Sequence, residues 1–316
     1  MIPKVVLIGI GNFGRNHLRV LDILDKEGKI KFEGIVDIDK KRLESSGKEF
    51  NVKTSNHYKS FLKTADAFDV VSPASTHYKI VKDLLMQNKH VFVEKPLALK
   101  YIQANNLVKL ANKKKKILQV GHIFRYNESI SILKKIVRQK NNYPYYVTGS
   151  FLQTTKPKSD LGAIFNYLHH FDIIDNLFYS KPKKIFANAN LIAIKPTRET
   201  NVTIFLELPK KLFVTLNLGW ISSGKYRTLE LFSKKNHIIC DLYKQEIDVY
   251  QHGKLKKHYS PKHEEPLLLE LLDFSTCIKT KKSPRANGSV GSRVVKIAEE
   301  ATKSLRSGKV LTSPNE

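Results

Sequence analysis

Two cysteines, two methionines and a single tryptophan are scattered through 316 residues. Cys240 and Cys277 lie far apart and outside any C-x-x-C or zinc-type spacing. Neither a disulfide framework nor a metal site is therefore expected, and thiols of this kind point to the reducing cytoplasm. No apolar run approaches the roughly 18 residues that a membrane span requires. The opening stretch, Met1 to Ile10, is short for a secretion signal and lacks a small-residue cleavage site. Acidic residues are scarce as well: 29 Asp and Glu stand against 55 Lys and Arg, a net charge of +26. Such an imbalance raises the question of nucleic acid. The excess is spread evenly, about +11 before residue 120 and about +15 after it, and the one dense run, Lys113 to Lys116, ends a helical stretch where cations suit the helix dipole. No helix-turn-helix, zinc or stacking-aromatic module accompanies it. Lysine enrichment along the whole chain accounts for the charge, with an anionic small molecule as the partner it would favour; neither nucleic acid nor a membrane is expected.

What is present is a globular composition, 41% apolar, in a chain long enough for two domains. Gly9-Ile10-Gly11-Asn12-Phe13-Gly14 follows the apolar run Val5 to Ile8 and precedes a helical pattern with Leu18, Leu21 and Leu24 in register. This is the context a dinucleotide site needs. The first glycine permits a tight turn, the second lets backbone approach a diphosphate, and the third lets helix and strand pack closely. Asp37, 23 residues beyond Gly14 at the end of a second strand, suits hydrogen bonding to ribose hydroxyls. With Asp39 it would repel a 2′-phosphate, so NAD is favoured over NADP. Strands and helices alternate through Ile117 to Val120, as in a doubly wound parallel sheet.

Beyond about Gly121 the pattern changes. One helix is predicted over Ser129 to Arg138 and another over Gly162 to Phe178. Long β runs follow, Lys184 to Ile194, Asn201 to Leu208, Leu212 to Trp220, Arg227 to Phe232, Ile238 to Leu242 and Ile247 to Tyr250, before helices over Pro266 to Ile278 and Ser289 to Ser307. The expected architecture is α/β: an N-terminal Rossmann domain, residues 1–120, and a C-terminal α+β domain, residues 121–316, with a largely antiparallel open sheet. Phe213, Leu216, Leu218 and Trp220 on that sheet invite burial by a second copy, so a homodimer or homotetramer is expected. Trp220 and Tyr226 would pack the sheet or such an interface.

The glycine loop, Ser75-Thr76-His77, and His90-Val91-Phe92-Val93-Glu94-Lys95-Pro96-Leu97 together resemble the Gfo/Idh/MocA oxidoreductases. Val120 to Asn127 and the segments Gly219 to Arg227 and Ala286 to Val310 extend the resemblance over essentially the whole chain. The resemblance implies an NAD(P)-dependent enzyme acting on a hydroxyl or ketone of a sugar, cyclitol or nucleotide sugar. It implies that Lys95 binds the reacting hydroxyl, and an ammonium there would also stabilise the developing oxyanion. Cofactor contacts are expected from Gly9, Gly11, Asn12, Phe13, Gly14, Asp37, Ser72, Pro73, Ser75, His77, Glu94 and Lys95. Ser75 or Thr76 would cap the helix that His77 begins. The family's His-x-x-Asp aligns with His169 and Asp172, with Asn166 where the family carries an upstream Asp. His169 is then the acid–base candidate, its ordinary pKa suiting proton exchange near neutrality; His170 is its rival, and Asp172 orients the base or binds substrate. His122, Arg125 and Asn127 are candidate substrate contacts beside Lys95 and Asp172, and Lys156, Lys225 and Arg227 are candidate phosphate contacts. The competing reading is a cofactor-binding regulatory protein of the same fold without turnover.

Overall fold

The computed structural model describes residues 2–139, 141–154, 161–190, 199–262 and 264–312. The chain divides into two compact units, Met1–Ile123 with Glu265–Val295, and Phe124–Glu264 with Lys296–Glu316. The first unit alternates β1 (Lys4–Ile8), α1 (Gly14–Lys26), β2 (Lys31–Val36), α2 (Lys40–Phe50), β3 (Lys53–Ser55), β4 (Ala67–Val70), α3 (Ala74–Met86), β5 (His90–Glu94), α4 (Tyr101–Lys114) and β6 (Leu118–Gly121). The strands form one parallel sheet in the order β3-β2-β1-β4-β5-β6. Its strands read as continuous apolar runs because both faces are covered, which is the rule for parallel sheets. In such a sheet the ligand crevice opens at the carboxyl ends of the strands, where the order reverses between β1 and β4.

The second unit begins with α5 (Glu128–Val137) and β7 (Tyr146–Leu152), followed by the short helix α6 (Ala163–Asn166) and by α7 (His169–Phe178). Then come β8 (Lys184–Asn190), β9 (Asn201–Leu208), β10 (Leu212–Gly219), β11 (Tyr226–Phe232), β12 (His237–Asp241), β13 (Glu246–Gln251) and β14 (Lys254–Tyr259). Helices α8 (Pro266–Thr280) and α9 (Gly288–Ser307) and the short β15 (Leu311–Thr312) follow. Among the described residues nine strands form one sheet, β14-β13-β12-β11-β7-β10-β9-β8-β15, antiparallel except where β10 runs parallel to β7. Alternation is strict: Leu212, Val214, Leu216 and Leu218 are buried, whereas Phe213 on the other face is 52% exposed. The predicted β8 extended to Ile194, and its last part lies outside the described residues.

Two expectations are corrected. The single helix predicted over Gly162 to Phe178 is two, because Tyr167 leaves helical geometry at φ −107° and ψ 42°. And residues 121–316 are not one contiguous domain. Leu267, Leu271 and Phe274 of α8 join the core of the first unit, where Phe274 meets Phe92 edge-to-face at 5.9 Å. Each such buried side chain stabilises by about 1.5–3 kcal/mol, enough to draw the helix back to the parallel sheet. Among the described residues no helix is long and apolar enough to cross a membrane.

Gly149 of β7 tests the packing of the second unit, since a β-carbon there would lie 2.7 Å from the His170 ring and 3.0 Å from Leu216. Gly149→Ala is expected to lower stability by about 1–3 kcal/mol, read as an earlier urea midpoint at unchanged slope.

Candidate active site

The glycine loop has the geometry its spacing predicted. Gly9 adopts φ +94°, which suits glycine, and a β-carbon on it would strike the backbone of Val71 and Ser72. A β-carbon on Gly14 would overlap the Gly9 carbonyl, so only glycine lets α1 start this close to β1. At Gly11 a β-carbon would meet nothing within 4 Å. That open approach to backbone at the start of α1 is what a diphosphate requires, and the helix dipole favours its charge. Asn12 and Phe13 are exposed on the same loop.

Asp37 ends β2 and is nearly buried. Its Oδ2 accepts the Ile10 N–H at 2.8 Å and its Oδ1 the Asp39 N–H at 2.9 Å, fixing the carboxylate beside the loop. Arg42 of α2 lies 3.9 Å from Asp37 and 3.3 Å from Asp39. At the end of β4 Ser72 bonds Thr76 through their hydroxyls at 2.7 Å, while Pro73 and Ser75 are exposed. Pro73, not Ser75 or Thr76, is the N-cap of α3. His77 was expected to meet the cofactor, but it is buried, with its ring nitrogens 2.7 Å from the Pro96 carbonyl and 2.8 Å from that of Ser72. It ties two loops together. Burial lowers its pKa despite those carbonyls.

Lys95 follows β5 directly, at the carboxyl edge of the parallel sheet. Glu94 was a candidate cofactor contact; its carboxylate instead turns inward, accepting the Lys95 backbone N–H at 3.1 Å and lying 3.3 Å from His17. His122, expected to touch substrate, is fully buried just after β6.

In the second unit the two histidines part company. His170 lies in the core, edge-on to Phe151 at 5.1 Å, and burial, reinforced by Arg227, pushes it down to about 4. This removes it as rival base. His169 is half-buried, stacked on Phe151 at 5.8 Å and edge-on to Phe124 at 5.1 Å. Asp172 shares its face of α7, but the carboxylate accepts from Arg125 Nε at 2.6 Å, and the other arm of Arg125 donates to Asp175 at 2.6 Å. Arg125 is thus a half-buried fork between two carboxylates and not an open substrate contact. Asn127 is also spoken for: it caps α5, accepting from the Ile130 amide and the Ser129 hydroxyl. Asn166 ends α6 and donates to the carbonyls of Leu161 and Gly162. The groups around His169 are instead aromatic and cationic. Arg227 lies 4.4 Å over the Phe151 ring, and Tyr167, its hydroxyl pKa raised by burial, packs on Trp220 at 5.3 Å. Tyr226 is exposed, and Lys156 lies outside the described residues.

Residues 3–122 match the Gfo/Idh/MocA oxidoreductases, a family with an NAD-binding Rossmann fold. The match covers 120 of the 316 residues. The chain is 22% identical over 302 residues to UDP-N-acetylglucosamine 3-dehydrogenase of Acidithiobacillus ferrooxidans, covering 92% of this chain and 94% of that one. The crystal structure of that enzyme superimposes with a TM-score of 0.88 over 97% of this chain and 99% of that one, at 21% identity. Myo-inositol 2-dehydrogenase of Thermotoga maritima is 23% identical over 96% of both chains. An Agrobacterium radiobacter oxidoreductase, solved with NAD+, L-tartaric acid and magnesium, shares the fold with a TM-score of 0.89 at 15% identity, over 99% of this chain and 98% of that one.

Sequence reasoning passed over three groups of this chain. Arg42 sits three residues past Asp39 in the first turn of α2, and that spacing was a legible sign of their pairing. His17 falls on the buried face of α1 with Leu18, Leu21 and Leu24. Tyr167 carries no motif, and only the break between α6 and α7 brings it to Trp220.

Acid should reveal the buried histidine. Between pH 6.5 and about 4 the unfolded chain binds a proton that folded His170 refuses, so stability falls as pH falls through that window. The loss from this one residue is at most about 3 kcal/mol. His170→Gln is expected to flatten the dependence of the urea midpoint on pH between those limits.

Proposed function

We propose that the chain is an NAD-dependent dehydrogenase moving a hydride between the nicotinamide and a secondary hydroxyl or ketone of a sugar, cyclitol or nucleotide sugar. The observation that carries this reading is Lys95 at the carboxyl edge of the same parallel sheet whose first turn is the Gly9–Gly14 cradle. Bound NAD supplies the hydride acceptor. Lys95 holds the substrate oxygen and stabilises the charge it gains as the hydroxyl proton passes to a general base. The names of the relatives, a UDP-sugar and an inositol dehydrogenase, support this substrate range. Lys225 and Arg227, with the chain's basic balance, favour an anionic member of it such as a nucleotide sugar. Asp37 beside the loop favours NAD, and the pairing of Arg42 with Asp39 keeps that guanidinium from welcoming a 2′-phosphate. Phe205 and Phe213, 47% and 52% exposed on the outer face of the nine-stranded sheet, support assembly as a dimer or tetramer. Buried free Cys240 and Cys277 accord with a cytoplasmic enzyme.

One observation favours the second reading, a cofactor-binding regulator without turnover. Asn166, aligned with the family's Asp, spends its amide on backbone carbonyls and supplies no carboxylate. The deciding assay follows absorbance of the reduced nicotinamide against a panel of sugars, inositols and UDP-sugars. Turnover of at least one is expected, whereas NAD binding with none turned over establishes the regulator. Lys95→Ala is expected to lower kcat/KM by about 1,000-fold while the Kd for NAD stays within about three-fold. Asp37→Ala also frees the Ile10 N–H and weakens both cofactors. The ratio of NADP to NAD efficiency is nonetheless expected to rise about ten-fold, because only one of them carries the repelled phosphate.

A further inference from the structure

A buried charge cluster lies behind the cofactor loop. His17, three residues past Gly14, packs edge-on against Phe13 of the loop at 5.2 Å and Phe92 of β5 at 5.7 Å. Its Nδ1 is 2.8 Å from Asp69 Oδ2 on β4, and its Nε2 is 3.3 Å from Glu94 Oε1 on β5. Burial alone would push the imidazole down, but Asp69 and Glu94 outweigh it and push it up to about 10, so the ring is charged at neutral pH. Glu94 is held on two further sides. Its Oε2 accepts the Lys95 backbone N–H at 3.1 Å, and the β6 backbone at Gly121 lies so near that a β-carbon there would overlap the carboxylate. Buried ion pairs contribute little net stability compared with apolar packing of similar volume. What this cluster does fix is position.

We propose that His17 is a positioning residue for Lys95: it clamps the Glu94 carboxylate, Glu94 fixes the Lys95 amide, and the ammonium is thereby held in register with the glycine loop that α1 carries. This rests on the reading of Lys95 as the group at the reacting oxygen. The clamp ties α1, β4 and β5 at a single point, directly beneath the two loops that end those strands. A neutral residue at position 17 would leave the Asp69 and Glu94 carboxylates facing one another and free Glu94 to turn.

Two measurements test it. In protein carrying isotope-labelled histidine, one of the eleven imidazoles is expected to remain doubly protonated up to about pH 9 by NMR. If all are neutral at pH 8.5, the charged clamp does not exist. His17→Gln is expected to lower kcat by about 10–100-fold, with the sugar KM and the Kd for NAD within about three-fold, as a misplaced reacting group would. In the double variant His17→Gln with Asp69→Asn the charges balance again. Its melting temperature should return towards wild type while kcat stays low. Recovery of kcat together with melting temperature would show that His17 only fills space, and the proposal would fall. Where the single variant does not fold, the double variant carries the kinetic comparison. A wild-type protein that turns over no sugar defeats the reading of Lys95, and with it the positioning role, even if the charged imidazole is found.

Discussion

A helix that meets a sheet with no side chain between them governs the first unit. Gly14 stands so close to the Gly9 carbonyl that any β-carbon would push α1 away from β1. With the helix seated at that height, its buried face reaches past the first strand to β4 and β5. There His17 meets Asp69 and Glu94, while Leu18, Leu21 and Leu24 fill the core. The same contact leaves the backbone at Gly11 open to a ligand and aims the helix dipole at it. A turn only six residues long thus sets both the cofactor cradle and the charge cluster under the catalytic candidate.

Much of this unit was legible because its signals are local. Glycine spacing, apolar runs and the helical period of leucines are written within a few residues. The site residues were harder, since a motif names a side chain without saying what it touches. Glu94, His77, His122 and Asn127 all sit in or beside recognisable strings, yet each is buried or committed to a partner. Their regularity serves the loops and caps that hold the site. Arg125 shows the same limit: its two carboxylate partners lie 47 and 50 residues away, and no local pattern announces such a fork.

The second unit follows a different logic. Its sheet has one face packed and one open, so the alternation that sequence shows clearly is also the alternation that structure keeps. Strand order was not legible, because the parallel neighbour of β7 is β10, reached through two helices and two further strands. The break at Tyr167 was hidden for a related reason. Residues 162–178 have an unbroken helical pattern, and the departure at one tyrosine comes from tertiary packing. That break separates Asn166 from the histidine pair and lets the two imidazoles take opposite fates, one sealed among Phe151 and Gly149, the other half-open.

Helix α8 completes the apolar interior of a unit whose strands were all laid down before residue 122. During synthesis the parallel sheet therefore waits, with Phe92 and its neighbours uncovered, until Phe274 has left the ribosome. The nucleotide-binding half cannot be excised as a contiguous piece, and a truncation after the nine-stranded sheet would strip a wall from the opposite end of the sequence.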